Sequence, residues 1–271
     1  MQISLSRYTL TSLLLVAATA AVSYGLEALF GAISLEFFAF PMNIILLAIW
    51  AVAIVELHRR GNKCVVTRYL LSPQATITAI AVAAIGCMVA GLQSEPTTDS
   101  YLFIAMVLFV MSVIAMVTLR GWRAGGAIRW RFLLSHLGLL LVLIGGFWGA
   151  TDRKILRAGV TAEPTTKALY TDGRAAALDY SLALTDLDTE FSQSGVPTKL
   201  CASLAIDNKP FTLEVNSPYS VHYGHEIYLI SCGANSCIVQ VVIQPWRGVM
   251  VVGIIMLLAG AAMLFLGGAK R

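Results

Sequence analysis

The sequence predicts a multi-pass helical membrane protein that carries one antiparallel β domain. Three observations predict it. The 271 residues are 58% hydrophobic and only 13% charged, with mean hydropathy +0.77, which lies outside the soluble globular range. Apolar segments that approach or reach spanning length recur near 9–30, 38–57, 75–92, 101–119, 132–150 and 248–266. Between the last two lies the only long polar stretch, 151–247, whose apolar residues alternate as they do in strands. The expected organisation is five transmembrane helices over 1–150, a β domain over 151–247, and a sixth helix with a short tail over 248–271.

In the first segment Arg7 precedes LLLVAATAAVS, the outline of a cleavable signal. Apolar character runs on to Phe30, longer than a signal needs, so a retained span is expected. In the second, Pro41 stands where a helix starts and a missing N–H costs least, while Glu56 and His58 lie at the basic end. Trp130, Trp148 and Trp246 fall near helix ends and read as interface anchors. Gly145 and Gly149 form a small-xxx-small pair, a weak sign of close helix approach.

Orientation follows from the short loops. Arg59, Arg60, Lys63 and Arg68 lie in 58–74, and Arg120, Arg123, Arg129 and Arg131 in 120–131. Arg7 precedes the first span, and Lys270 and Arg271 follow the last. The loops 31–37 and 93–100 hold only Glu36, Glu95 and Asp99 as charges. Positive charge stays inside, so both termini are expected in the cytoplasm and 151–247 on the external side of the membrane.

In the β region, Tyr180, Leu182 and Leu184 alternate with polar neighbours, as do Phe211, Leu213 and Val215. Strands over 226–232 and 237–243 flank a turn at 233–236. Ten acidic residues nearly cancel eight basic ones over 151–247, which argues against a strongly charged partner face. The chain has no basic tract interleaved with aromatics of the kind that binds nucleic acid.

Cys64 and Cys87 read as ordinary thiols. Cys201, Cys232 and Cys237 fall on the oxidising side, where disulfides persist. Cys232 and Cys237 flank the four-residue turn and form the candidate disulfide, with Cys201 paired to either one as the alternative. No C-x-x-C-H, H-E-x-x-H, G-x-S-x-G or phosphate-binding loop occurs. Asp186, Asp188 and Glu190 alternate on one strand face and read as a solvated strip rather than a metal site. His222 and His225, three apart in VHYGHEIYL, are expected on opposite faces of an extended segment, where a shared metal is disfavoured.

The residue that stands out is His136, in the first turns of RWRFLLSHLGLLLVLIGGFWGA. At about 1.5 Å rise per residue it lies roughly 8 Å beyond Arg131, in the half of the helix nearest the basic flank. An ionisable group there is costly without a partner, and neutral imidazole is the usual ligand of haem iron. His136, Leu139, Leu140, Leu143 and Phe147 share a helix face that could wall an apolar cofactor slot; packing or lipid contact would produce the same stripe.

Five stretches carry a family resemblance: LEFFAFPMNIILL, SHLGLLLVLIGG, LDYSLALTDLDTEFSQSGVPTKLCASLAI, LEVNSPYSVHYGHEIYLISC and VVIQPWRGVMVVGIIMLLAGAAMLF. In their order the chain resembles the ResB (CcsB) proteins of system II cytochrome c biogenesis, in the form found in Bacteroides-like bacteria. The resemblance implies a haem-handling subunit that transports or binds haem b. It implies work with a CcsA-type membrane partner to deliver haem to apocytochrome c, with a thioredoxin-like thiol reductant as a further associate. The family's transmembrane histidine corresponds to His136, and the second axial ligand would come from the partner.

The chain departs from the family in having five expected spans before the β domain instead of three, and Gln244 where an aspartate is usual. It lacks the partner's tryptophan-rich motif, so a complete synthase is not expected, and the resemblance implies a non-catalytic or co-catalytic subunit of a cytochrome c haem lyase. Two other functions stay open: a scaffold that binds no haem, and a b-type electron-transfer subunit. The latter needs paired intramembrane histidines, and His58 is the only other histidine near a span.

Overall fold

A computed structural model describes residues 2–92, 98–124, 126–191, 197–233 and 235–266. Helices α1 (Gln2–Phe30), α2 (Met42–Arg60), a short α3 (Val65–Leu70), α4 (Pro73–Leu92) and α5 (Tyr101–Gly121) come first. A two-stranded hairpin of β1 (Arg123–Ala124) and β2 (Ala127–Ile128) then leads into α6 (Trp130–Phe147). Eight strands follow: β3 (Lys154–Val160), β4 (Thr165–Tyr170), β5 (Ala175–Phe191), β6 (Pro197–Ile206), β7 (Lys209–Glu214), β8 (Tyr219–His222), β9 (His225–Cys232) and β10 (Cys237–Ile243). The last element is α7 (Arg247–Leu266). Six of the helices, all but α3, are long and apolar enough to cross a bilayer, so the chain is a multi-pass membrane protein. The chain divides into two compact units, 1–151 with 249–271, and 152–248.

Within the helical unit α6 and α7 cross with their backbones in contact. A Cβ placed on Gly138 would sit 2.8 Å from the Gly253 carbonyl oxygen, and one on Gly253 would sit 2.8 Å from that of Gly138. Without a hydrophobic drive between helices in lipid, such backbone contact is a main source of association. Met111 and Met116 of α5 are fully buried. At the end of the bundle away from the basic loops, Asn43 is fully buried and its amide donates to the Trp148 carbonyl at 3.1 Å. Trp148 is only 8% exposed, so it is a core residue and not the interface anchor expected of its position. Trp130, at 55% exposure, remains open at its helix start.

The β unit is one antiparallel sheet in the order β7-β6-β5-β4-β3-β10-β9-β8. β5 is the corner strand: its first half pairs with β4 and its second half with β6, with Leu182 facing partners on both. The sheet curls until β7 and β8 meet, through the Glu214–Ser217 bridge and Phe211 against Tyr219 at 4.1 Å between ring centres. Alternation along the strands fills the interior with one core, including Val160, Leu182, Leu204, Leu213, Ile227 and Val241. Val215, expected in that pattern, lies beyond the end of β7 and is 44% exposed.

Gly138→Val should force α6 and α7 apart and cost about 1–3 kcal/mol, the usual range for overpacking. The thermal midpoint in detergent should fall, whereas Gly146→Ala, whose added methyl meets nothing within 4 Å, should leave it unchanged or raised.

Candidate functional site

α6 starts immediately after the β1–β2 hairpin, with Arg129 as its uncapped first flank. Phe132, one turn in, packs its ring into the space left by the missing side chain of Gly121. The Arg129 guanidinium lies over this ring, 4.9 Å from its centre. One further turn along, the His136 imidazole stacks on Phe132, with ring centres 4.0 Å apart and planes 23° from parallel. His136 Nδ1 lies 2.9 Å from the Phe132 carbonyl oxygen. A carbonyl only accepts, so this bond places the proton on Nδ1 and leaves the Nε2 lone pair free in the neutral ring. The imidazole, half-buried, is thus held in one tautomer and one orientation.

Outward from His136, Leu140 is buried, and Leu143 and Phe147 reach an apolar cavity of about 530 Å³. Phe38, Phe103 and Trp148 also line it, and its size falls within the range of small-molecule sites. His136 itself is not in its lining. Two ring nitrogens in the helical unit, His58 Nδ1 and Trp148 Nε1, are buried with no hydrogen-bond partner among the described residues. Nothing in the local sequence marks either, because burial of a particular ring atom depends on the neighbouring helices.

The β unit holds a second histidine arrangement, and here the sequence expectation is corrected. His222 and His225 are not on opposite faces of one strand. They are cross-strand partners on either side of a tight turn at Tyr223–Gly224, with ring centres 4.8 Å apart and planes at 77°. Gly224 has φ +79°, and a Cβ there would approach the Gln244 carbonyl oxygen to 2.6 Å. His225 is 6% exposed, and its Nε2 lies 2.8 Å from the Tyr180 hydroxyl. His222 is exposed, with Nδ1 3.3 Å from the Tyr223 carbonyl.

Burial, then the neighbouring His222, hold His225 below the usual histidine value, against a smaller opposing pull from Asp179. Burial, with Asp179 adding to it, pushes the Tyr180 phenol well above its ordinary range, so it stays protonated. Close by, Glu226 accepts from Tyr228 at 2.7 Å and pairs with Arg247, and both contacts hold its carboxyl below the usual carboxylate range. Trp246 Nε1 donates to Asp152 at 2.7 Å, so this half-buried tryptophan also has a partner within the protein. Cys232 and Cys237 are bonded across the neck of the β9–β10 hairpin, with Cα atoms 4.0 Å apart, and Cys201 is a free thiol. Asp186 and Asp188 are exposed on β5, and the side chain of Glu190 lies outside the described residues.

A family profile described as "ResB-like family" matches residues 120–257, just over half of the chain. The chain belongs to the ResB-like family. The match takes in α6 with His136, the whole β unit and the first half of α7. Among solved structures, this ResB-like chain is similar to one titled "Cytochrome c Heme Lyase CcmF", at 12% identity and a TM-score of 0.39. The alignment covers 70% of this chain and 34% of that one, so the chain spans about a third of that protein's length. No curated protein matches the sequence.

The depressed basicity of His225 sets a pH dependence. The unfolded chain takes up a proton near the ordinary value of 6.5 and the folded one only below it. Its contribution is therefore fully present above about pH 6.5 and lost as pH falls from there through the folded value. Amide-exchange protection in β8 and β9, corrected for intrinsic rates, should decline over that window, and His225→Gln should remove this part of the decline.

Proposed function

We propose that this chain is the haem-handling subunit of a cytochrome c synthase. It holds haem at His136 within the membrane and, with a CcsA-type partner, passes it to the thiols of an apocytochrome c. Family membership supports the role in cytochrome c biogenesis. The observation that carries the assignment to His136 is its imidazole geometry. Inside an apolar helix an ionisable group needs a partner. Here Nδ1 has one and Nε2 keeps its lone pair, the state in which histidine ligates iron.

The surroundings suit a porphyrin. Leu140, Leu143 and Phe147 continue the apolar face beyond His136. Arg129 and Arg131, at the start of the same helix, offer cations suited to carboxylates on the porphyrin edge. With the Lys- and Arg-rich loops inside, His136 occupies the inner-leaflet half of a bacterial inner membrane and the β unit is periplasmic. Haem is cargo in this scheme, bound as haem b and handed on. The chain has no C-x-x-C-H of its own, and thioether formation belongs to the partner assembly.

Haem per mole of protein in detergent, measured as the pyridine haemochrome, tests the ligand. His136→Ala should lose most of the haem yet insert into membranes at wild-type levels, and added imidazole should restore part of the Soret absorption. Undiminished haem in that variant would overturn the assignment.

A further inference from the structure

The histidine pair in the β unit has features that ordinary sheet packing does not require. The turn between the two residues is clamped: the Gln244 amide donates to the Gly224 carbonyl at 2.6 Å, and only glycine fits there. The clamp sets His222 and His225 side by side with ring centres 4.8 Å apart. Two imidazoles bound to one tetrahedral zinc have ring centres about 5 Å apart, given metal–nitrogen bonds of about 2.0 Å. Each ring also has one nitrogen engaged by the protein. His222 Nδ1–H donates to the Tyr223 carbonyl, which leaves Nε2 with its lone pair. When His225 Nε2–H donates to the Tyr180 hydroxyl oxygen, Nδ1 is left with its lone pair. Such outer hydrogen bonds are what orient metal-bound histidines and raise their basicity.

We propose that His222 Nε2 and His225 Nδ1 bind one divalent transition-metal ion of the zinc or copper class, with Tyr180 as the outer partner that orients His225. Among the described residues no group of three or more His, Cys, Asp or Glu surrounds such a point. The remaining coordination positions therefore go to exchangeable ligands, water or a thiolate, reached from the exposed His222 side. The site is independent of His136.

The test uses the full chain in detergent, without a polyhistidine tag, titrated with Zn²⁺ by calorimetry and with Co²⁺ as the optical probe at pH 7.5. One saturable ion per chain is expected. His222→Ala, at an exposed position, should weaken binding at least tenfold, and Tyr180→Phe by about 10–100-fold, the usual cost of losing an outer partner. His136→Ala should leave the affinity unchanged, which separates this site from any haem site. Equal affinity in wild type and His222→Ala, or no saturable ion at all, would overturn the proposal.

Discussion

Contact between the backbones of α6 and α7 at Gly138 and Gly253 is the constraint on which the rest of the molecule depends. These two helices bracket the β unit in the chain, so where they meet fixes where the polypeptide leaves the helical unit and returns to it. The β unit shows the same economy at its own ends: β3 and β10 pair from Lys154–Ile243 onward, and Trp246 is bonded to Asp152. A small-residue crossing in one unit and a paired first and last strand in the other are matched solutions to one requirement. A domain inserted between two helices needs its ends close together.

α6 carries His136, an imidazole within an apolar span. Its orientation comes from a short relay of local contacts: Gly121 leaves room for the Phe132 ring, and that ring and its carbonyl together fix His136. None of these contacts needs a distant part of the chain.

The spans were legible because lipid demands long apolar runs, and length plus composition suffices to find them. The β9–β10 hairpin was legible for a similar reason, its cysteines flanking a short turn signal. What was not legible depended on neighbours that periodicity does not name. Trp148 looks like an interface residue until Asn43 and the surrounding helices enclose it. VHYGHEIYL reads as a single strand unless Tyr223–Gly224 is recognised as a two-residue turn, and missing that turn places the two histidines on the wrong faces. Nor does the sequence mark the close crossing at Gly138, because its small partner, Gly253, lies more than a hundred residues away.

The β9–β10 hairpin is held at both ends. At its tip is the Cys232–Cys237 bond; at its foot, about 20 Å away by strand rise, Glu226 holds Arg247 and Gln244 holds Gly224. A strand free at one end can slip by a single residue, which in β9 would turn Ile227 and Leu229 outward together. Fastened twice, this ladder has no neighbouring alignment available to it. Opening the covalent end alone would loosen the tip and leave the foot, with its two histidines, in step.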